Sequence, residues 1–170
     1  MLADNVIFYG DTANKMRFLK DETNLFSRFL DVYIAGGVVG MLFNQKGENN
    51  VTNNKATIFA DQISTESMRI KYFSSLAFII DNSDLSEEIL LKEAFSDWFS
   101  ENYDQDSNNN KYKLFQSYAI GGIDILYDEI VGEATDKESY LYNFYKFIKK
   151  IENENIDDEM DRAILGGLMS

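Results

Sequence analysis

The sequence predicts a mainly α-helical single domain, a bundle of about five helices with at most one or two short N-terminal strands. The chain has 170 residues, a length that fits one domain, and no proline, so long helices can run without the kink that proline imposes. Its residues are 45% hydrophobic and 14% aromatic, which is enough to build a packed core. Apolar residues recur at helical spacing in several stretches that polar loops separate.

The N-terminal quarter is predicted to hold one short extended segment and two helices. Residues 6–9 form an apolar run that is either a strand or an extended entry segment. Asp11 or Thr12 is a suitable N-cap for a helix that carries Met16, Phe18 and Leu19. Residues 24–44 read as a long buried helix, whose second half is apolar on every side.

The middle of the chain is predicted to alternate loops and helices. Residues 45–55 are polar and rich in Asn and Gly, so they form a loop, and residues 56–60 are a short strand or a first helical turn. A third helix is predicted over residues 86–103, with Ser86 as its N-cap. Before it lies a second core helix, residues 66–80, in which the predicted core positions are Met68, Ile70, Tyr72, Phe73, Leu76, Ile79 and Ile80.

The C-terminal part is predicted to hold a polar loop, two helices and a tail. Residues 104–110 form the loop, and residues 112–131 form a long helix that Gly132 ends. Residues 136–151 form the next helix, with an aromatic stripe. We expect a helical domain over residues 1–152 and an acidic, then apolar, tail or short helix over residues 153–170.

Charge and missing residue types narrow the function. There are 16 Lys and Arg against 29 Asp and Glu, a net charge of −13, which disfavours direct non-specific binding of nucleic acid. Such a charge favours basic protein partners, or serves solubility alone. There is no Cys and no His, which removes the thiolate nucleophile, the commonest general base and the commonest transition-metal ligands. We expect no enzyme and no cofactor.

The apolar runs are too short to span a bilayer, and we see no signal peptide, so the expected location is cytoplasmic, with no membrane contact.

A Tyr followed three residues later by a Gly pair occurs twice. Gly inside a helix costs about 1 kcal/mol relative to Ala, so something should offset a pair. The main interpretation is close approach of two helices; the alternative is a hinge or a groove where a partner docks. Gly40 extends the first motif. The residues concerned are Tyr33, Gly36, Gly37, Gly40, Tyr118, Gly121 and Gly122.

Two acidic patterns suggest a metal site, but each lacks residues that such a site requires. Asp104-x-Asp106-x-Asn108 is similar to the start of a calcium-binding loop, but Asn109 replaces the glycine of its turn and Phe115 replaces the bidentate Glu. Asp124 and Asp128 share a helix face, yet no nucleophile, base or phosphate loop accompanies them. We therefore expect neither a metal site nor catalytic residues.

The aromatic helix and the apolar tail are the predicted partner-binding surface. Tyr and Phe are enriched in interface cores, although core packing explains part of the set equally well. The predicted contact residues are Tyr140, Tyr142, Phe144, Tyr145 and Phe147, with Ile164, Leu165 and Leu168 of the tail.

Two stretches resemble a known family. Phe29-Leu-Asp-Val-Tyr-Ile-Ala-Gly-Gly-Val-Val-Gly40, followed by a Lys46-Gly47 turn, resembles an apolar helix of the family named DNA phosphorothioation (Dnd) system-associated protein 4. Tyr118-Ala-Ile-Gly-Gly-Ile-Asp-Ile-Leu126 is similar to a second stretch of that family. The resemblance implies an accessory protein of bacterial anti-phage systems and supplies no catalytic residue.

These observations predict a non-catalytic accessory subunit of a prokaryotic anti-phage defence complex, which binds a larger DNA-acting protein (an ATPase or a nuclease) or self-associates. The alternative, suggested by the charge of −13, is a phage-encoded acidic protein that mimics DNA and inhibits a host defence or DNA-binding protein. A third hypothesis is a carboxylate-dependent metal enzyme that uses Asp124, Asp128 or Glu129.

Overall fold

A computed structural model describes the backbone of residues 4–99 and 105–168 and the side chains of residues 4–96 and 110–153. Within these ranges the chain forms seven helices and one two-stranded sheet, which confirms the mainly α prediction. The elements are β1 (Val6–Tyr9), α1 (Gly10–Asp21), α2 (Phe29–Leu42), β2 (Lys55–Ile58), α3 (Ala60–Thr65), α4 (Ser67–Asp81), α5 (Glu87–Phe99), α6 (Gln105–Ile130) and α7 (Lys137–Leu168).

Helices α2 and α6 cross at the centre of the fold, and α1, α4 and α7 pack around them. Both central helices are buried on several sides, because α2 carries only one charged residue, Asp31, and the middle of α6 is apolar. The largest fully buried side chains include Tyr33 of α2 and Phe115 and Tyr118 of α6. Burial of α2 agrees with its apolar composition.

The start of α2 lies five residues later than the predicted 24. Asn24 adopts a left-handed conformation with φ 63°, which interrupts any helix there. Helix α2 begins at Phe29 because the Asp31 carboxylate accepts a hydrogen bond from the Arg28 backbone N–H at 3.0 Å, as in a capping box.

The two strands pair antiparallel, with Val6 opposite Ile58 and Tyr9 opposite Lys55. The outer edge of β1 is closed by a side chain: the Tyr9 N–H donates to Asn49 Oδ1 at 3.2 Å, and Asn49 Nδ2 donates to the Ile7 carbonyl at 2.7 Å. This edge is therefore not open to another strand.

Two more boundaries and one short helix differ from the prediction. Helix α6 begins at Gln105, so a loop over 105–110 is wrong, and Asp104 lies outside the described residues. Helix α3 follows β2 directly and was not predicted. Helix α7 continues past residue 152 to Leu168, because no Pro and no Gly before Gly166 interrupts it. Gly132 adopts φ 46° just after α6, as its predicted role requires.

Among the described residues, no helix is both long and apolar enough to cross a membrane.

Candidate protein-interaction surfaces

The glycines of both motifs lie where α2 and α6 cross. A Cβ atom on Gly122 would lie 1.8 Å from the Gly36 carbonyl oxygen, and one on Gly40 would lie 1.9 Å from the Tyr118 carbonyl oxygen. A Cβ on Gly36 would lie 2.8 Å from the Ala119 carbonyl oxygen. The two backbones therefore touch, and this contact offsets the conformational cost of glycine in a helix.

The other two glycines have different neighbours. A Cβ on Gly37 would lie 2.2 Å from the Phe115 ring, and a Cβ on Gly121 would lie 2.4 Å from the Gln45 carbonyl oxygen in the loop after α2. Gly47 of the Lys46-Gly47 turn lies in that loop, and a Cβ on it would lie 2.4 Å from the Ile120 side chain. All these positions belong to the packed interior and leave no groove for a partner.

The tyrosines of the motifs are buried as well. The Tyr33 ring lies 5.1 Å from the Phe115 ring, and burial raises the pKa of the Tyr33 hydroxyl. The Tyr118 hydroxyl lies 3.2 Å from Asn44 Oδ1 and 3.3 Å from Asp81 Oδ1. Burial and the negative charge of Asp81 both raise the pKa of Tyr118, so it stays a neutral hydrogen-bond donor.

Only some of the aromatic side chains of α7 are exposed to solvent. Tyr140 and Phe147 are buried, which makes their assignment to a partner surface wrong for this fold. The Tyr140 ring packs edge-on against Phe18 at 5.9 Å, and Phe147 stacks on Phe43 at 6.0 Å. Phe144 is half-buried and also faces inward.

The opposite side of α7 is an exposed apolar surface, which we call the α7 outer face. Its members are between 46% and 60% exposed: Leu141, Tyr142, Tyr145 and Ile148. The Lys146 ammonium lies 4.9 Å from the Tyr142 ring centroid, within range of a cation–π contact. The predicted tail contacts Ile164, Leu165 and Leu168 lie outside the described side chains.

Helix α4 presents a second exposed apolar surface, and here the predicted core helix is partly wrong. Its inward side is filled by Ile70, Phe73 and Ala77, whereas four predicted core residues are 40–60% exposed. Residues four apart drift around a helix by about 40° per step, so a row of apolar residues can leave the buried side. The α4–α2 surface consists of Met68, Tyr72, Leu76, Ile80 and, from α2, Leu42.

Three residues of the α4–α2 surface border an apolar groove of about 230 Å³. Val38, Met41 and Phe73 line it between the exposed Leu42, Leu76 and Ile80. Apolar side chains that line a concave site in this way suit the nonpolar face of a helix from another protein.

Two of the three carboxylates proposed for a metal enzyme form ion pairs with lysines. Asp124 pairs with Lys15 at 2.9 Å, and Glu129 pairs with Lys150 at 2.7 Å. Burial lowers the pKa of Lys15, but Asp124 and Asp11 outweigh it and raise that pKa above its ordinary value. Among the described side chains, no group of three or more acidic residues is placed to hold a metal ion.

One lysine is buried although no pattern in the surrounding sequence indicates its burial. Lys111 of α6 is 4% exposed, and its ammonium donates to the backbone carbonyls of Glu93 at 2.5 Å and Ala94 at 3.2 Å. The Ser75 hydroxyl donates to the same Ala94 carbonyl at 2.7 Å. Lys111 thus connects α5 to α6, and Ser75 connects α5 to α4, through hydrogen bonds.

Comparisons with protein-family models, with curated proteins and with solved structures gave no match for this chain.

Proposed function

We propose that this chain is a non-catalytic protein-binding subunit whose α4–α2 surface receives a helix of a larger partner. The observation that carries the proposal is that three exposed hydrophobic side chains, Leu42, Leu76 and Ile80, line an apolar groove. Single exposed hydrophobic residues are ordinary on a monomer, but a cluster around a concave site marks a place where another molecule binds. The lack of His and Cys supports binding rather than catalysis.

The proposed partner is a DNA-acting ATPase or nuclease of a prokaryotic anti-phage defence complex. Support for this class of partner comes from the resemblance of residues 29–40 and 118–126 to the Dnd-associated family. Those stretches form the α2–α6 crossing, so they favour a shared fold rather than a shared site. The net charge of −13 fits a subunit that leaves contact with DNA to its partner.

The test is co-purification with the products of neighbouring genes, using the wild type and the double variant Leu76→Glu with Ile80→Glu. Both side chains are about 40% exposed, so the variant is expected to fold and to lose the partner because two carboxylates cannot be buried in an apolar contact. The matched control is Leu91→Glu on α5, which is 46% exposed and outside this surface.

Capture of an ATPase or nuclease by the wild type and by Leu91→Glu, but not by the double variant, supports the proposal. Capture of no neighbour, or equal capture by all three, contradicts it. Salt separates this proposal from DNA mimicry: binding through apolar burial changes little with ionic strength, whereas a DNA mimic loses affinity steeply.

A further inference from the structure

A cavity of about 420 Å³ lies between β1, the N-terminal half of α6 and Tyr33 of α2. Ile7 and Tyr9 line it because alternate residues of a strand point to the same side. Tyr112 and Gln116 line it because residues four apart share one face of a helix. The volume of the cavity is within the range of about 300–1,000 Å³ that small-molecule sites occupy.

The Tyr33 hydroxyl is a buried polar group that the described part of the chain leaves without a hydrogen bond. Its side chain is 2% exposed, and no group of the described residues donates a hydrogen bond to its oxygen or accepts one from it. Burial and, to a lesser extent, the hydroxyl of Tyr112 raise the pKa of Tyr33, so the two hydroxyls lie near each other at the cavity that both residues line. Buried tyrosine hydroxyls usually have a partner, and an unsatisfied one costs free energy. A ligand that bonds to this hydroxyl offsets that cost.

Three further residues bring polar groups to the same cavity. Gln116 Nε2 donates to the Ile7 carbonyl at 3.1 Å, and no described residue donates to Gln116 Oε1, which remains an acceptor for a ligand. Lys113 is exposed at the edge of the cavity and forms no ion pair with the described side chains. Asp4 lies at the edge as well, so the charges of the lining residues cancel. The cavity therefore offers hydrogen bonds to a ligand without requiring a charge on it.

We propose that this cavity binds the base of a nucleoside or nucleotide. A nucleobase is planar, so it can stack on the tyrosine rings of Tyr9 and Tyr112. Its edge carries acceptors and donors together, which match the Tyr33 hydroxyl and Gln116 Oε1. A purely apolar ligand would leave both of these groups unsatisfied.

Charge and position define the rest of the ligand. The net charge of −13 disfavours a nucleic-acid polymer, so the ligand is a single nucleoside or nucleotide. Where that ligand carries a phosphate, Lys113 is the cation that receives it at the edge of the cavity. The cavity and the apolar groove of the α4–α2 surface share no lining residue, so this inference does not depend on the proposed function.

The experiment measures binding of adenosine, guanosine, cytidine, uridine and their monophosphates to the full chain by calorimetry, at ligand concentrations up to about 1 mM. The variant is Tyr33→Phe, which keeps the ring contact with Phe115 and removes only the hydroxyl. We expect at least one nucleoside to bind the wild type and to bind Tyr33→Phe about tenfold more weakly, since one hydrogen bond is lost. Without ligand, Tyr33→Phe should have a Tm equal to or above that of the wild type, because the hydroxyl has no partner to lose.

The matched control is Tyr118→Phe, whose hydroxyl bonds to Asn44 and Asp81 outside the cavity. This variant should bind the nucleoside as the wild type does and have a lower Tm. Failure of every nucleoside and nucleotide to bind overturns the proposal, as does equal binding by Tyr33→Phe. A lower Tm of ligand-free Tyr33→Phe contradicts the unpaired hydroxyl. Ribose phosphate that binds as tightly as the nucleotides, or L-tyrosine that binds where nucleosides do not, contradicts recognition of the base.

Discussion

Gly122→Ala should destabilise this protein strongly, although the same change in a free helix stabilises it. An added Cβ lies 1.8 Å from the Gly36 carbonyl oxygen and 2.5 Å from the Gly40 backbone nitrogen. Atoms of this kind rest about 3.5 Å apart, so α2 and α6 must separate by about 1.7 Å at their crossing. Neither obstacle is a side chain that can rotate away.

The magnitude follows from two opposing effects. Overpacking a core costs about 1–3 kcal/mol when side chains can yield, and we take about 4 kcal/mol for a backbone obstacle at the centre of the fold. The better helix propensity of Ala returns about 1 kcal/mol. The net loss of unfolding free energy is about 3 kcal/mol, which lowers Tm by about 6–12 °C for a chain of this size.

Urea and thermal unfolding followed by circular dichroism measure this loss. Gly37→Ala is the comparison, because the three atoms nearest to its added Cβ all belong to the Phe115 ring. In a Phe115→Leu background Gly37→Ala should cost less than in the wild type, whereas the cost of Gly122→Ala should stay the same. Unchanged or increased stability of Gly122→Ala would refute the account of the crossing.

Two further predictions concern the periphery of the fold. Lys111→Met removes the hydrogen bonds to Glu93 and Ala94, so we expect a loss of about 1.5–3 kcal/mol and faster amide hydrogen exchange in α5; unchanged exchange there would contradict the anchoring role. Asp136→Ala removes the acceptor of the Ser139 N–H at 2.9 Å at the start of α7. Hydrogen bonds from Ser139 hold the pKa of Asp136 below its ordinary value, so this contribution is present above about pH 3.9 and is lost as pH falls through the lower pKa of the folded state. The stability difference between the wild type and Asp136→Ala should therefore narrow below about pH 3.9, and a difference independent of pH would exclude the charged cap.

Most of the helices were predictable, but some of their ends were not. Apolar spacing and the lack of proline indicated α2, α4, α6 and α7. The polar start of α6 reads as a loop because Asp, Ser and Asn favour turns, yet they continue a helix when the next turns are firmly packed. The early end expected for α7 is wrong for a related reason, since acidic composition alone does not stop a helix.

The candidate surfaces show that apolar periodicity does not predict which side of a helix stays exposed. Periodicity places Met68 and Leu76 on an apolar face, but it does not reveal that only part of this face meets the core. In α7 the error is the opposite one, because residues predicted to bind a partner are buried. Tyr140 packs against Phe18, and Phe147 packs against Phe43. These neighbours are more than 90 residues away along the chain, so no local pattern indicates them.

The helical class, the lack of imidazole and thiol groups, and the need of each Gly pair for a compensating neighbour follow from the amino-acid sequence alone. The identity of those neighbours, the exposed sides of α4 and α7, and the burial of Lys111 depend on how the helices pack. Helix formation depends on residues a few positions apart, whereas burial depends on which distant element packs against each face.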